Sequence, residues 1–167
     1  MNDTVHNEND TVFEPANVFD RYADTVYRLA FVRTKNKYDA DDILQEVFLR
    51  YMKVYKNMKS DEHVKAMLIR ITINCSNSLL SSPWKKRNEA LDESLPTPET
   101  DTGTDTLNAV LNLPVKYRTV IHLHYYMGYS VEEISNITHT NPSTVKTRLS
   151  RARLTLKNTL KADDFDV

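Results

Sequence analysis

Residues 130–160 read SVEEISNITHTNPSTVKTRLSRARLTLKNTL and predict two helices joined by a tight turn. Ser130 and Glu133 have the spacing of a capping box, in which each side chain accepts a hydrogen bond from the other residue's backbone amide. Asn141 is a good N-cap, and Pro142 suits the first helical position because its missing N–H would have no partner there. The stretch therefore predicts a helix-turn-helix.

The second helix of this motif has one apolar side and one polar side. Apolar residues recur at helical spacing at Val145, Leu149, Ala152 and Leu156. The other faces of its first turns carry Ser143, Thr144, Lys146 and Thr147, followed by Ser150, Arg151 and Arg153. Short hydrogen-bonding side chains at the end that enters a major groove, with arginines behind them to hold phosphates, indicate DNA binding. The alternative is an ordinary helical hairpin whose cations form a solvated face.

The composition of the whole chain bounds its class. The chain has 167 residues, is 40% hydrophobic and contains two glycines, so we expect an all-α protein made of two small helical domains. No apolar run approaches the roughly 18 residues of a membrane span, and the polar start has no signal-peptide core, which predicts a cytoplasmic protein without membrane insertion. Cys75 is the single cysteine, so neither an intrachain disulfide nor a cysteine-cluster zinc site is possible, and its apolar surroundings favour a buried thiol.

Charge is distributed in blocks. Residues 15–88 contain 14 basic and 8 acidic residues, and residues 107–162 contain 8 basic and 2 acidic residues. The segment between them, 89–106, contains six acidic residues and no basic one. The predicted division is a disordered acidic tail (1–14), a basic domain (15–88), a flexible acidic linker (89–106), a second basic domain (107–162) and an acidic tail (163–167). Paired basic blocks favour a polyanionic partner, although surplus lysines on either domain alone would be unremarkable.

The first domain is predicted to contain three helices. The second of these has Asp39 as its expected N-cap and carries an apolar set: Ile43, Leu44, Val47, Phe48, Tyr51, Met52 and Tyr55. Its other side presents Asp42, Gln45, Glu46 and Leu49 at helical spacing. A leucine beside carboxylates can form a docking face, but geometry alone favours a simpler interpretation, in which Glu46 pairs with Arg50.

Two further motifs leave alternatives open. Trp84 is followed by Lys85, Lys86 and Arg87, which suits stacking on a base and binding of phosphate, or equally a tryptophan covering a helix end. His122 and His124 form an H-x-H pair, yet residues two apart on a helix point about 200° apart and cannot both bind one ion. No catalytic pairing is present in the sequence, so neither an enzyme nor a metal or other cofactor is predicted.

Over residues 17–161 the chain resembles the extracytoplasmic-function group of the bacterial sigma-70 family. DADDILQEVFLRYMKVY is similar to the core-binding helix of the family's region 2, and LIRITIN to the start of its promoter-melting helix. LPVKYRTVIHLHYYMGYSVEEISNITHTNPSTVKTRLSRAR is similar to region 4.

The resemblance implies a role for each site. Asp42, Gln45, Glu46 and Leu49 would dock on the clamp of RNA polymerase, and region 4 on its flap. Met58, Ile71 and Asn74 would line a pocket for a flipped base of the downstream (−10 type) promoter element. At the upstream (−35 type) element, Lys146, Thr147 and Ser150 would face bases, while Thr144, Arg148 and Arg151 would hold phosphates. An anti-sigma factor that masks these surfaces is implied as a further partner.

The chain departs from the family pattern in two places. Met67 and Leu68 stand where the family usually has tryptophan and leucine, and Ser78 and Ser81 replace a usual aspartate and arginine, so strand separation is expected to depend more on residues 84–87. In the turn, His139 replaces the expected glycine and would have to adopt a positive φ or reshape the turn.

The resulting prediction is a sigma factor that directs polymerase to promoters and performs no chemistry of its own. Two alternatives are a stand-alone helix-turn-helix regulator that never contacts polymerase, and a metal-dependent hydrolase that uses His122, His124 and Glu132.

Overall fold

The computed structural model describes residues 11–83 and 102–163. The chain divides into two compact units, Met1–Ser78 and Leu79–Val167. Within the described residues every regular element is helical, which confirms the all-α prediction. In the same ranges, no helix has both the length and the apolar character needed to cross a membrane.

The N-terminal unit contains the helices α1 (Pro15–Thr34), α2 (Lys37–Val54) and α3 (Asp61–Leu80), with a 3₁₀ turn (Tyr55–Asn57) after α2. Lys35 adopts a left-handed conformation with φ 55° and reverses the chain between α1 and α2. Asn36 then caps α2, because its side chain accepts a hydrogen bond from the Asp39 amide at 3.1 Å. The prediction that Asp39 is the cap is therefore wrong, since the sharp reversal at Lys35 starts the helix earlier and leaves Asp39 in its first turn.

The core of this unit lies between α1 and α2 and is closed by α3. Its fully buried side chains include Leu29 from α1, Tyr51 from α2 and Leu68 from α3. The first turn of α3 is tied to α1 through Asp61, whose carboxylate accepts hydrogen bonds from the Arg21 guanidinium at 2.8 Å and from the Tyr22 hydroxyl at 2.5 Å. This contact fixes the start of α3 relative to the other two helices.

The C-terminal unit contains α4 (Thr102–Leu111), α5 (Val115–Ile121), a π-helical turn (His122–Tyr126), α6 (Val131–Thr138) and α7 (Pro142–Asp163). The long helix α7 packs against α4, α5 and α6 through Val145, Leu149 and Ala152, which are buried. Leu156, the fourth residue of the predicted seam, is half-buried.

Two predicted boundaries differ from the observed helices. Residues 102–106 were assigned to a linker, but α4 begins at Thr102, while 89–101 lie outside the described residues. A helix held by buried Ala109 and Val110 extends backwards at little cost, because each added residue gains a backbone hydrogen bond once the helix exists. Thr11 and Val12, predicted to belong to a disordered tail, are also helical.

Candidate nucleic-acid interface

The turn between α6 and α7 is shaped by local capping interactions. Ser130 and Glu133 form the predicted capping box, with the Ser130 amide donating to Glu133 at 2.8 Å and the Glu133 amide donating to the Ser130 hydroxyl at 3.2 Å. His139 ends α6 with φ 52° and ψ 37°, and its amide donates to the Ser135 carbonyl. The expected positive φ at His139 is confirmed, so the turn keeps a left-handed residue without glycine.

The start of α7 uses some of its own polar side chains. The Asn141 side-chain oxygen accepts hydrogen bonds from the Ser143 amide at 2.9 Å and from the Ser143 hydroxyl at 2.8 Å. The Thr147 hydroxyl donates to the Ser143 carbonyl at 2.9 Å. Both hydroxyl protons are thus bound by acceptors on the protein itself, and the two hydroxyl oxygens keep lone pairs for other donors.

The face of α7 opposite its buried seam is polar and basic. Ser143, Lys146, Thr147, Ser150 and Arg151 are exposed, and Thr144 and Arg148 are half-buried. The structure therefore brings all seven predicted region 4 residues together on one helix.

A groove of about 320 Å³ runs beside this face. Its walls are formed by Ser143, Thr144, Thr147, Arg148 and Arg151 of α7 and by Lys116 and Tyr117 of α5. The sequence analysis singled out neither Lys116 nor Tyr117 as part of this surface. The available signal was the position of Lys116 two residues after Pro114, in the first turn of a helix.

A second candidate surface lies on α2. Asp42, Gln45 and Leu49 are exposed, with 57% of Leu49 accessible to solvent. Glu46 is half-buried and pairs with Arg50 at 2.6 Å, as the simpler interpretation of the sequence predicted. Met52, assigned to the core by its spacing, is instead 56% exposed and extends this apolar edge by one turn.

The residues predicted to form a base pocket are unequally accessible. Met58 is buried, with 7% exposure, at the extended residue that follows the 3₁₀ turn. Ile71 is half-buried and Asn74 is exposed on α3. Lys85, Lys86 and Arg87 lie outside the described residues.

Burial raises the pKa of two side chains on α2 and α3. Burial raises the pKa of the Cys75 thiol, and this effect exceeds the opposing influence of the Arg50 cation. Burial also raises the pKa of the Tyr51 hydroxyl to about 12. The prediction of a buried thiol is confirmed.

The two histidines of the H-x-H pair have separate partners. The His122 ring stacks on Tyr126 with centroids 5.5 Å apart, and His124 Nδ1 lies 2.7 Å from the Tyr129 carbonyl oxygen. Among residues 11–83 and 102–163, no group of three His, Cys, Asp or Glu side chains is arranged to hold a metal ion.

Comparison with known families matches both units. Residues 18–85 match the sigma-70 region 2 model, and residues 105–156 match the model of sigma-70, region 4. The chain is 33% identical to RNA polymerase sigma factor SigV of Bacillus subtilis over 143 residues, which cover 83% of this chain and 86% of that protein. This chain belongs to the sigma-70 family.

Further comparisons agree with this membership and with the extracytoplasmic-function (ECF) group. The chain is 32% identical over 152 residues to ECF RNA polymerase sigma factor SigE of Mycolicibacterium smegmatis, covering 84% of this chain and 59% of that protein. Among solved structures, the sigma factor RpoE of Bartonella quintana, crystallised with the anti-sigma factor NepR, has the same fold, with a TM-score of 0.68 and 22% identity over 87% of this chain and 95% of that one. The resemblance predicted from the sequence is confirmed, and so is the function of an RNA polymerase sigma factor.

Proposed function

We propose that this sigma-70 family member binds core RNA polymerase through α2 and carries the enzyme to promoters by contacting an upstream element through α7 and a downstream element through α3. It helps to open the duplex and performs no chemistry of its own. The observation that carries this proposal is the exposed face of α7, where an N-terminal turn of polar side chains precedes half-buried and exposed arginines beside a groove.

Within the upstream interface, the side chains divide by hydrogen-bonding capacity. Lys146 and Ser150 are exposed on α7 and are suited to reading acceptor atoms on base edges in a major groove. Arg148, Arg151 and Lys116 line the groove and are suited to phosphates, which position the helix without specifying sequence. Lys116 is a contact added by the structure, because α5 brings it beside α7.

The polymerase contact is proposed on the exposed side of α2. Leu49 and Met52 are large apolar side chains that an isolated unit leaves in water, and Asp42 and Gln45 flank them. A partner surface that buried the two apolar side chains would gain about 25 cal/mol for each Å² of apolar area removed from water. The Glu46–Arg50 pair lies between these groups. On docking, the Glu46 carboxylate would interact with the partner, either together with Arg50 or in place of it.

The remaining parts of the proposal concern location, partners and boundaries. A protein that works on polymerase and chromosomal DNA acts in the cytoplasm. An anti-sigma factor is a suitable regulator, because a relative with the same fold was crystallised with one.

The division into region 2 over 15–88 and region 4 over 107–162, joined by an acidic linker, also remains a proposal, with α4 extending the second region back to residue 102.

Run-off transcription tests the function directly. Core RNA polymerase is incubated with the chain and with fragmented genomic DNA, and the transcripts are mapped. Defined start sites that depend on the chain are expected. Binding to duplex DNA without association with core polymerase, and without transcripts, would instead favour a stand-alone helix-turn-helix regulator.

A further inference from the structure

A buried arginine connects the end of α1 to α3. The Arg33 side chain is 4% exposed and crosses from the end of α1 to α3. Its Nε donates to the hydroxyl of Ser76, and one of its terminal nitrogens donates to the side-chain oxygen of Asn77. The Ser76 hydroxyl in turn donates to the Ile73 carbonyl at 2.9 Å. Each donor and acceptor in this chain of contacts therefore has a defined direction.

The contact with Arg33 fixes the orientation of the Asn77 amide. A guanidinium group has five N–H donors and no acceptor, so the amide atom that faces it must be the oxygen. The amide nitrogen is then directed away from Arg33. Asn77 is exposed, and its nitrogen makes no hydrogen bond within the described part of the chain. Asn77 thus presents two N–H donors to solvent while its acceptor is held inside the protein.

Asn77 lies beside Asn74, a residue proposed for the downstream interface. Asn74 and Asn77 are three positions apart on α3, so they are neighbours on one face of the helix. Both are exposed and uncharged. Asn77, one turn beyond Asn74 on the same face, thus extends the proposed contact with the downstream element.

We propose that Asn77 is a further DNA-reading residue, which donates to an acceptor atom on a base of the unpaired strand, and that Arg33 is its positioning residue. The inference rests on the proposed function. An asparagine recognises adenine by donating and accepting at once. Because the oxygen of Asn77 is committed to Arg33, this residue favours bases that present carbonyl or ring-nitrogen acceptors.

Asn77→Asp tests the outward donor with little effect on the fold. The substitution keeps an oxygen facing Arg33 and turns that contact into an ion pair, while it replaces the outward NH₂ with a carboxylate oxygen. The variant is assembled with core polymerase on a promoter fragment that the wild-type holoenzyme transcribes, and unpaired thymines are detected with permanganate. We expect an unchanged or higher melting temperature, unchanged duplex binding, and open complexes reduced about tenfold.

Ala16→Asp is the matched control for added charge, because Ala16 is exposed near the start of α1 and belongs to no proposed interface. It should open promoters as the wild type does. Opening by Asn77→Asp equal to that of the control would overturn the inference while leaving the function intact. Failure of the wild-type chain to direct any transcription would overturn the proposed function, and the inference with it.

The positioning role of Arg33 is tested by coupling. Arg33→Lys keeps the positive charge but lacks the fork that reaches Ser76 and Asn77 together. If Arg33 acts through Asn77, Arg33→Lys reduces promoter opening in the wild-type chain and has little further effect in an Asn77→Ala chain. An equal loss in both chains, together with a lowered melting temperature, would show that Arg33 only supports the fold.

Discussion

Reversing the charge of Glu46 separates a role in polymerase binding from a role in the stability of α2. In the structure Glu46 pairs with Arg50 one turn along the helix at 2.6 Å, and both side chains are 46% exposed. A docking surface that includes Asp42, Gln45 and Leu49 would surround this carboxylate. Glu46→Lys therefore alters both the intrahelical pair and the proposed interface.

The two effects differ in size. An exposed pair of this spacing contributes about 0.3–0.5 kcal/mol, and the like-charge pair created by Glu46→Lys costs a similar amount. The free energy of unfolding should therefore fall by about 0.5–1 kcal/mol, or roughly 3–6 °C in melting temperature for a unit of this size. Placing a cation where an interface expects a carboxylate costs several kcal/mol. A loss of about 2 kcal/mol would weaken core binding roughly thirtyfold.

The chain offers a matched control on α1. Asp24 and Arg28 form the same acid-to-base pair at the same spacing, at 2.9 Å, and both side chains are well exposed. Asp24→Lys should lower the melting temperature by a similar amount and leave the affinity for core polymerase unchanged. Affinity is measured by competition with labelled wild-type chain, and stability by circular dichroism on the same preparations.

Two results would refute the reasoning. Equal losses of affinity in Glu46→Lys and Asp24→Lys would assign the effect to stability or net charge and remove Glu46 from the interface. Full affinity in both variants would show that polymerase does not dock on this face of α2.

Three further predictions concern the turn, the buried tyrosine and the DNA-facing helix. Ser130→Ala should lower the free energy of unfolding of the C-terminal unit by about 1 kcal/mol, because it removes half of the capping box. His139→Gly should raise that free energy by about 0.5–1 kcal/mol, because glycine adopts the left-handed conformation without strain. Urea denaturation measures both changes. The pKa of Tyr51 is about 12 in the folded state and about 10 in the unfolded state, so the folded state keeps the proton to higher pH. The free energy of unfolding should therefore fall as the pH rises from about 10 to 12, and Tyr51→Phe should lose this part of the pH dependence. An unchanged pH dependence in Tyr51→Phe would show that Tyr51 is not its source. Arg151→Ala should weaken duplex binding across sequences and flatten its salt dependence, while Lys146→Ala should change the preferred bases, as binding measured at several salt concentrations on a promoter and on unrelated DNA would show.

The helix-turn-helix was predictable because its signals are local. The capping box at Ser130 and Glu133 and the sequence Asn141-Pro142 each act within four residues, so no distant contact is needed to interpret them. The resemblance left two outcomes open for His139, a positive φ or a reshaped turn, and the structure shows the first.

Other features depended on how helices meet, and the sequence alone did not determine them. Asn36 and Asp39 are both good capping residues, and the choice between them was made by the reversal at Lys35. Met52 has the spacing of a core residue, but the core of the N-terminal unit is completed without it. Lys116 joins the groove only because α5 packs on α7, a contact between distant parts of the sequence.

The hydrogen-bonding state of a candidate contact residue is likewise set by its neighbours in the fold. Ser143 and Thr147 were both predicted to contact DNA, yet each already donates its hydroxyl proton within the protein, to Asn141 and to a backbone carbonyl. They can therefore accept hydrogen bonds from bases but cannot donate without breaking an existing contact. Among the residues proposed to face bases, Lys146 and Ser150 make no side-chain hydrogen bond within the described residues and are left as the available donors. Because the Lys146 ammonium has donors and no acceptor, the strongest preference of the upstream interface should be for a base that presents two adjacent acceptors in the major groove, which is guanine.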